Sequence, residues 1–149
     1  MAAETSLREI TKETVRLVTA LDVGPDQHGL VAPNSISIAE AYFEPKAWFR
    51  AIYFGDEPAG FAMVWRDPDE QTFYIWRFMV DARFQGKGVG RRALELLLDE
   101  ARADGVGEVT LSVVPGSHSA LAFYERCGFQ ATGEVHGGEA EMKLTLAHS

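Results

Sequence analysis

Apolar runs and polar, glycine- or proline-containing turns alternate along the whole chain. Runs rich in β-branched and aromatic residues predict strands, and apolar residues spaced three and four apart predict helices. Strands are predicted at residues 7–10, 48–54, 59–65, 72–80, 108–114, 129–135 and 141–146. Helices are predicted at residues 12–21, 36–43, 89–103 and 117–126. The order β-α-α-β-β-β-α-β-α-β-β predicts a single α/β (α+β) domain over residues 1–149, with one mixed, mostly antiparallel sheet flanked by helices.

Composition narrows the class of protein. The chain has 149 residues and is 46% hydrophobic, as expected of one globular domain with its own core. No apolar run approaches the ~20 residues of a membrane-spanning helix, and the N-terminus lacks the basic and apolar regions of a signal peptide. The lone cysteine, Cys127, cannot form an internal disulfide and is interpreted as a helix-end residue. These features predict a cytoplasmic protein with no membrane partner.

The net charge of −8 also bears on partners. Affinity for nucleic acid comes largely from neutralising phosphates with basic side chains, so a nucleic-acid partner is not expected. An acidic field instead concentrates cations such as amines at a cleft.

Residues 83–92 form the most informative segment, because three glycines in five residues join a predicted strand to an amphipathic helix. Glycines let the backbone approach a ligand, and a helix N-terminus offers unpaired N–H groups to an anion. A P-loop is excluded because Arg91 stands where a magnesium-binding hydroxyl is needed. A dinucleotide fingerprint is excluded by the glycine spacing and by the lack of an acid on the next strand. The alternatives left are another phosphate cradle and a tight turn without a ligand.

Two motifs carry a resemblance to a known family. Gln85 to Gly90 fits the pattern Gln/Arg-x-x-Gly-x-Gly/Ala, and Tyr124 to Phe129 fits Tyr-x-x-x-Gly-Phe at the end of a late helix. With the order of elements, they make nearly the whole chain resemble the GNAT superfamily of N-acetyltransferases. The resemblance implies the GNAT fold, acetyl-CoA as co-substrate and no metal. The residues expected to bind acetyl-CoA are Phe78, Met79, Val80, Gln85, Gly86, Lys87, Gly88, Val89, Gly90, Arg91, Ser117 and Ala120.

The same resemblance implies that Tyr124 protonates the departing thiolate of coenzyme A. A phenol pKa of ~10 lies close to the ~8.5 of a thiol, which suits proton transfer between them. The alternative role for Tyr124 is a core aromatic. Serine stands at position 117, where many members have asparagine, and Trp76 stands where many have a glutamate that works through water. The general base is therefore unassigned: Glu40 and Glu44 are candidates, as are a water chain and an amine that arrives neutral.

Residues 31–42 and 74–81 look like those of bacterial spermine/spermidine acetyltransferases within the superfamily. The acceptor side would then carry Glu40, Tyr42, Glu44 and Trp76, with Trp48 nearby, and would take a small polycationic amine by charge and cation–π contact. The alternative for Tyr42 and Trp48 is that both only pack against the sheet. Aminoglycosides and protein N-termini are alternative acceptors. A non-catalytic acetyl-CoA-binding regulatory module is an alternative of another class. Dimers are common in the superfamily, and the C-terminal hairpin is one surface that could form a homodimer.

Overall fold

The computed structural model describes residues 3–24, 33–114 and 120–146. Its strands are β1 (Thr5–Arg8), β2 (Ala47–Phe54), β3 (Glu57–Asp67), β4 (Thr72–Val80), β5 (Glu108–Val113), β6 (Gln130–His136) and β7 (Glu139–Thr145). Its helices are α1 (Val15–Thr19), α2 (Asn34–Tyr42), α3 (Val89–Asp104) and α4 (Ala120–Arg126). Short 3₁₀ helices at Pro68–Glu70 and Ala82–Phe84 complete the described elements. The predicted order of elements and the predicted fold class are confirmed.

The described strands form one sheet in the order β1-β2-β3-β4-β5-β7-β6. Neighbouring strands are antiparallel except β4 and β5, which run parallel. The parallel pair is joined by α3, because parallel neighbours need a crossover rather than a tight turn. The predicted 12–21 helix is shorter in the structure, and the predicted first strand lies two residues earlier, at Thr5–Arg8.

Helices cover both faces of the central strands. Along β3, Ala62 and Val64 join the core cluster beneath α3, while Phe61 and Met63 join a second cluster that includes Val18 of α1. Alternate residues of a strand point to opposite faces, so the two clusters lie on the two sides of the sheet. This double burial explains why β3 reads as a nearly continuous apolar run.

A β-bulge interrupts β4 at Trp76. Met63 pairs with Arg77 but the following Val64 pairs with Ile75, so Trp76 has no partner on β3. The extra residue places Trp76 and Arg77 on the same face of the sheet, the one covered by α1 and α2. Two neighbouring side chains therefore reach the same side of a strand that would otherwise separate them.

Candidate active site

The central feature of the site is a gap between the two parallel strands. The β4–β5 register consists of Tyr74 opposite Thr110 and Ile75 opposite Leu111, and the strands separate beyond that point. A cavity of about 1250 Å³ occupies the gap. Phe78, Met79 and Val80 of β4 line it, so the structure brings these predicted residues to a sheet edge that faces open space.

The glycine loop closes one end of this cavity. Gly86 and Gly88 have φ of +78° and +81°, and a Cβ built on either would meet no atom within 4 Å. Gly88 is the N-cap of α3 and provides no side-chain cap, which leaves the first N–H groups of the helix for another acceptor. Left-handed backbone and an open surface at a helix N-terminus fit an oligophosphate.

The other predicted loop residues, Lys87, Val89, Gly90 and Arg91, lie in different surroundings. Arg91 lines the main cavity, whereas the side chain of Lys87 lines a smaller depression of about 390 Å³ that it shares with Arg92 and Phe54. Val89 is buried in the core, so only its backbone can serve a ligand. A Cβ on Gly90 would make ordinary 3.5 Å contacts with Phe123 and Val80, so the packing of α3 at this position does not require glycine.

Gln85 acts on the backbone around the loop. Its side-chain nitrogen donates to the carbonyl of Val80 at 2.8 Å and to that of Val23 at 3.1 Å. It thereby holds the loop to the end of β4 and to the chain that follows α1.

Tyr124 lies on α4 with its ring among Phe78, Phe123 and Phe129. It is 9% exposed and lines the cavity. No described residue makes a hydrogen bond with its hydroxyl group. Burial, with a smaller effect of Cys127, raises the pKa of Tyr124 well above the usual value of a phenol. The hydroxyl is therefore a protonated donor at neutral pH without a partner among the described residues.

Cys127 and Arg126 also line the cavity, at the far end of α4, and sequence reasoning missed both. Burial raises the pKa of the Cys127 thiol, although the nearby Arg91 and Arg126 act in the opposite direction. The two arginines place positive charge close to the N-terminus of α3. The helical spacing of Cys127 from Tyr124 was the signal that could have revealed its position.

The expected acceptor residues do not all come together. Trp76 and Arg77 line the cavity. Glu40 does not line it, and forms an ion pair with Arg77 (3.3 Å, Arg77 Nη2 to Glu40 Oε1). Tyr42 is 85% exposed and, like Glu44, is absent from the cavity lining. Ala120 lines the cavity, and Ser117 lies outside the described residues.

The expectation for Trp48 is wrong. Its ring stacks on Arg50 and Arg66, and Arg66 is bonded to Asp104 at 2.7 Å, so Trp48 belongs to the α3 face of the sheet. Two other polar residues near α1 and α2, Asp22 and Asn34, line the cavity instead. Neither residue was a sequence candidate.

Residues 3–24, 33–114 and 120–146 contain no cluster of three or more histidine, cysteine or acidic side chains suited to a metal ion. None of the helices in these ranges is long and apolar enough to cross a membrane.

Comparisons with known proteins agree with the geometry. The acetyltransferase (GNAT) family profile matches residues 13–129. The spermine/spermidine N(1)-acetyltransferase of Bacillus subtilis is 27% identical over 153 aligned residues, covering 95% of this chain and 98% of the relative. The N-alpha-acetyltransferase RimI of Mycobacterium tuberculosis is 40% identical over 75 residues, 50% of this chain and 45% of the relative. Among solved structures, the PaiA N-acetyltransferase of Thermoplasma acidophilum in complex with coenzyme A superposes with a TM-score of 0.75 at 14% identity, over 96% of this chain and 99% of the other.

Proposed function

The chain belongs to the GNAT acetyltransferase family, and we propose that it moves the acetyl group of acetyl-CoA directly to a primary amine of a small polycation, a polyamine such as spermidine, with Tyr124 as general acid. Family membership makes the chain an acetyltransferase that uses acetyl-CoA, rather than the non-catalytic module left open by the sequence. The choice of acceptor and the role of Tyr124 are the proposal.

The observation that carries the proposal is the position of the Tyr124 hydroxyl. The Tyr124 side chain is largely buried, its hydroxyl group has no hydrogen-bond partner among the described residues, and the residue borders the same cavity as Gly86 and Gly88. A hydroxyl group that is not engaged by the described residues and lies beside a cavity is available to donate a hydrogen bond to a ligand there.

The donor fits the cavity in two places. The backbone of Phe78 to Val80 lies beyond the last β4–β5 pair and can hydrogen bond to an extended amide chain. The loop at residues 86–91 can hold a pyrophosphate, with Arg91 and Arg126 adding positive charge. When bound, acetyl-CoA supplies an acetyl thioester as the activated group.

Tyr124 can then donate its proton to the departing sulfur. Burial raises the pKa of Tyr124, and loss of solvation in the same cavity also raises the pKa of a thiol. Burial acts in this direction on the pKa of Cys127. The pKa of the proton acceptor therefore shifts in the same direction as that of the donor, which favours the transfer.

Support for a polyamine comes from the chain as a whole and from the acceptor half. The relative that matches almost the full chain is named for spermine and spermidine, and the net charge is −8. Trp76 and Asp22 both line the cavity, and an aromatic ring and a carboxylate are groups that bind an alkylammonium. Oδ1 of Asp22 also accepts a hydrogen bond from the backbone N–H of Gly24 at 2.9 Å. Glu40 contributes less charge because Arg77 is its ion-pair partner.

The test is an acceptor screen in which release of the coenzyme A thiol is measured. Spermidine and spermine should give turnover far above the rate without amine, and an alanine-starting peptide and an aminoglycoside should not. If the peptide is the one acceptor in the screen that gives turnover, the polyamine proposal is overturned and the N-alpha-acetylation named for RimI is favoured. Binding of coenzyme A without turnover on any amine would overturn the direct-transfer mechanism.

The pH dependence of the rate should reveal how the amine loses its proton. We propose loss to water, because neither Glu40 nor Glu44 lines the cavity. The value of kcat/KM for spermidine should then rise about tenfold per pH unit below the amine pKa of about 10. Because the pKa of Tyr124 is raised, Tyr124 should stay protonated at pH values below the amine pKa, and the rate should not fall in that pH range. A plateau that begins near neutral pH would contradict water and indicate a side-chain base.

Alkylation of the single cysteine should report occupancy of the cavity. Cys127 lines the proposed donor site, so N-ethylmaleimide should react roughly tenfold more slowly at acetyl-CoA concentrations ten times Kd. Acetyl-CoA is used because the free thiol of coenzyme A would itself consume the maleimide. Because the pKa of Cys127 is raised, alkylation without ligand should also accelerate with pH through the alkaline range. Cys127→Ser is the control for labelling elsewhere. An alkylation rate unaffected by acetyl-CoA would place the cofactor away from α4.

A further inference from the structure

Asp81, which follows β4, is the only carboxylate that is buried among the described residues, and it is 5% exposed. Its Oδ2 accepts a hydrogen bond from the backbone N–H of Asp22 at 2.9 Å. Its Oδ1 accepts from both the backbone N–H and Nε of Arg83, each at 2.9 Å. Burial alone would raise the pKa of Asp81, but the bonds from Asp22 and Arg83 outweigh it and lower the pKa below the ordinary value. The carboxylate is thus charged and fully engaged at neutral pH.

Asp22 belongs to the acceptor wall, which we define as residues 20–24, the segment that follows α1. Residues 20–23 of this wall line the cavity. Besides the bond to Asp81, the N–H of Ala82 donates to the Asp22 carbonyl at 2.8 Å, and the Gln85 amide donates to Val23. Gly24, at φ +101°, packs so that a Cβ would lie 3.4 Å from that of Ala82. The acceptor wall therefore rests on the segment that leads into the phosphate-binding loop.

The chain just before the wall is held by a different buried polar group. Asn34, 3% exposed, donates to the carbonyl of Val18 at 2.9 Å and to Sδ of Met79 at 3.7 Å, so it joins α2 to α1 and to β4. Asn34 forms no hydrogen bond with residues 81–88. The Asp81 side chain is thus a direct link from the acceptor wall to the segment that leads into the loop, whereas Asn34 does not reach that segment.

We propose that Asp81 is a positioning residue that couples the two halves of the site: it holds the acceptor wall to the phosphate-binding loop, so that donor binding orders the surface on which the acceptor lies. The inference rests on the cofactor site under the proposed function and not on the identity of the acceptor. Coupling of this kind is reciprocal, so an ordered wall also favours donor binding.

Asp81 also caps the 3₁₀ helix Ala82–Phe84 through the N–H of Arg83, which would be a purely local role. Two variants separate the roles. Asp81→Asn keeps the shape but removes the charge, and its amide cannot accept from both Asp22 and Arg83. Arg83→Gln is the matched control, because it removes the exposed guanidinium bonded to Asp81 and leaves the bond to Asp22.

The experiment is amide hydrogen exchange on the full chain with and without saturating coenzyme A. In the wild type and in Arg83→Gln, coenzyme A should slow exchange at residues 86–91 and also, by about fivefold or more, at residues 20–24. In Asp81→Asn, protection at residues 86–91 should persist at saturation while protection at residues 20–24 is lost. A local capping role would not produce this selective loss.

If coenzyme A slows exchange in the wild type at residues 86–91 but not at residues 20–24, the coupling is overturned and the cofactor site is not. Retained protection of residues 20–24 in Asp81→Asn would also overturn it. No protection at residues 86–91 in the wild type would overturn the cofactor site and the coupling with it. If Asp81→Asn fails to fold, Gln85→Met removes the second side-chain link and should reduce protection at residues 22–24, and unchanged protection there would overturn the proposal.

Discussion

Tyr124→Phe is expected to lower kcat by roughly 10²- to 10³-fold, the usual contribution of a positioned general acid, while the Kd of coenzyme A changes by less than about threefold. The ring packs against Phe78, Phe123 and Phe129, and phenylalanine keeps those contacts, so folding should be unaffected. Steady-state kinetics with spermidine and calorimetry with coenzyme A measure the two quantities.

The matched control for this variant is Phe123→Leu, on the same helix and beside the same ring. It alters the packing around Tyr124 but leaves the hydroxyl, so kcat should fall much less. Equal kcat for wild type and Tyr124→Phe at every pH would remove Tyr124 from the mechanism and return it to the role of a core aromatic.

Gly88→Glu is expected to abolish measurable coenzyme A binding. The position has φ +81° and faces open space at the N-terminus of α3, where the pyrophosphate is proposed to lie. A carboxylate about 4 Å from a phosphate charge is repelled by about 4 kcal/mol at an effective dielectric constant of 20, and the side chain also fills the space. Calorimetry on the purified variant measures the loss.

Gly105→Glu provides the control at the opposite end of the same helix. Gly105 has φ +76° and equally open surroundings, so the backbone strain, about 1–2 kcal/mol, is matched. Both variants should melt earlier than the wild type by similar amounts, and only Gly88→Glu should lose coenzyme A. Equal affinity in the two folded variants would show that the pyrophosphate does not lie at Gly88.

The order of elements and the glycine loop could be predicted because both depend on local sequence. Periodicity identifies strands and helices, and glycines next to an amphipathic helix identify an anion-binding turn. The loop at residues 86–88 forms with positive φ at both glycines, as only glycine adopts readily. Tyr124 lies beside that loop because the order of elements brings α4 to the same gap.

What could not be predicted depends on which face of the sheet a side chain occupies. Alternation alone would place Trp76 and Arg77 on opposite faces, but the bulge in β4 puts both on one face. The ion pair of Arg77 with Glu40 joins residues 37 positions apart, and no local pattern marks it. The face of the sheet that Trp48 occupies could not be predicted either. When both faces of a strand are covered, the alternation of apolar and polar residues does not show which side chains point to which face.

The short β4–β5 ladder has a consequence for the mechanics of the molecule. The sheet consists of a four-stranded part, β1 to β4, and a three-stranded part, β5 to β7, and two residue pairs join them. At the proposed donor site, coenzyme A would bond to the backbone of β4 on one part and contact helix α4 on the other, and would therefore link the two parts. The free protein should therefore unfold with the two parts less tightly linked, and saturation with coenzyme A should merge them into one cooperative unit.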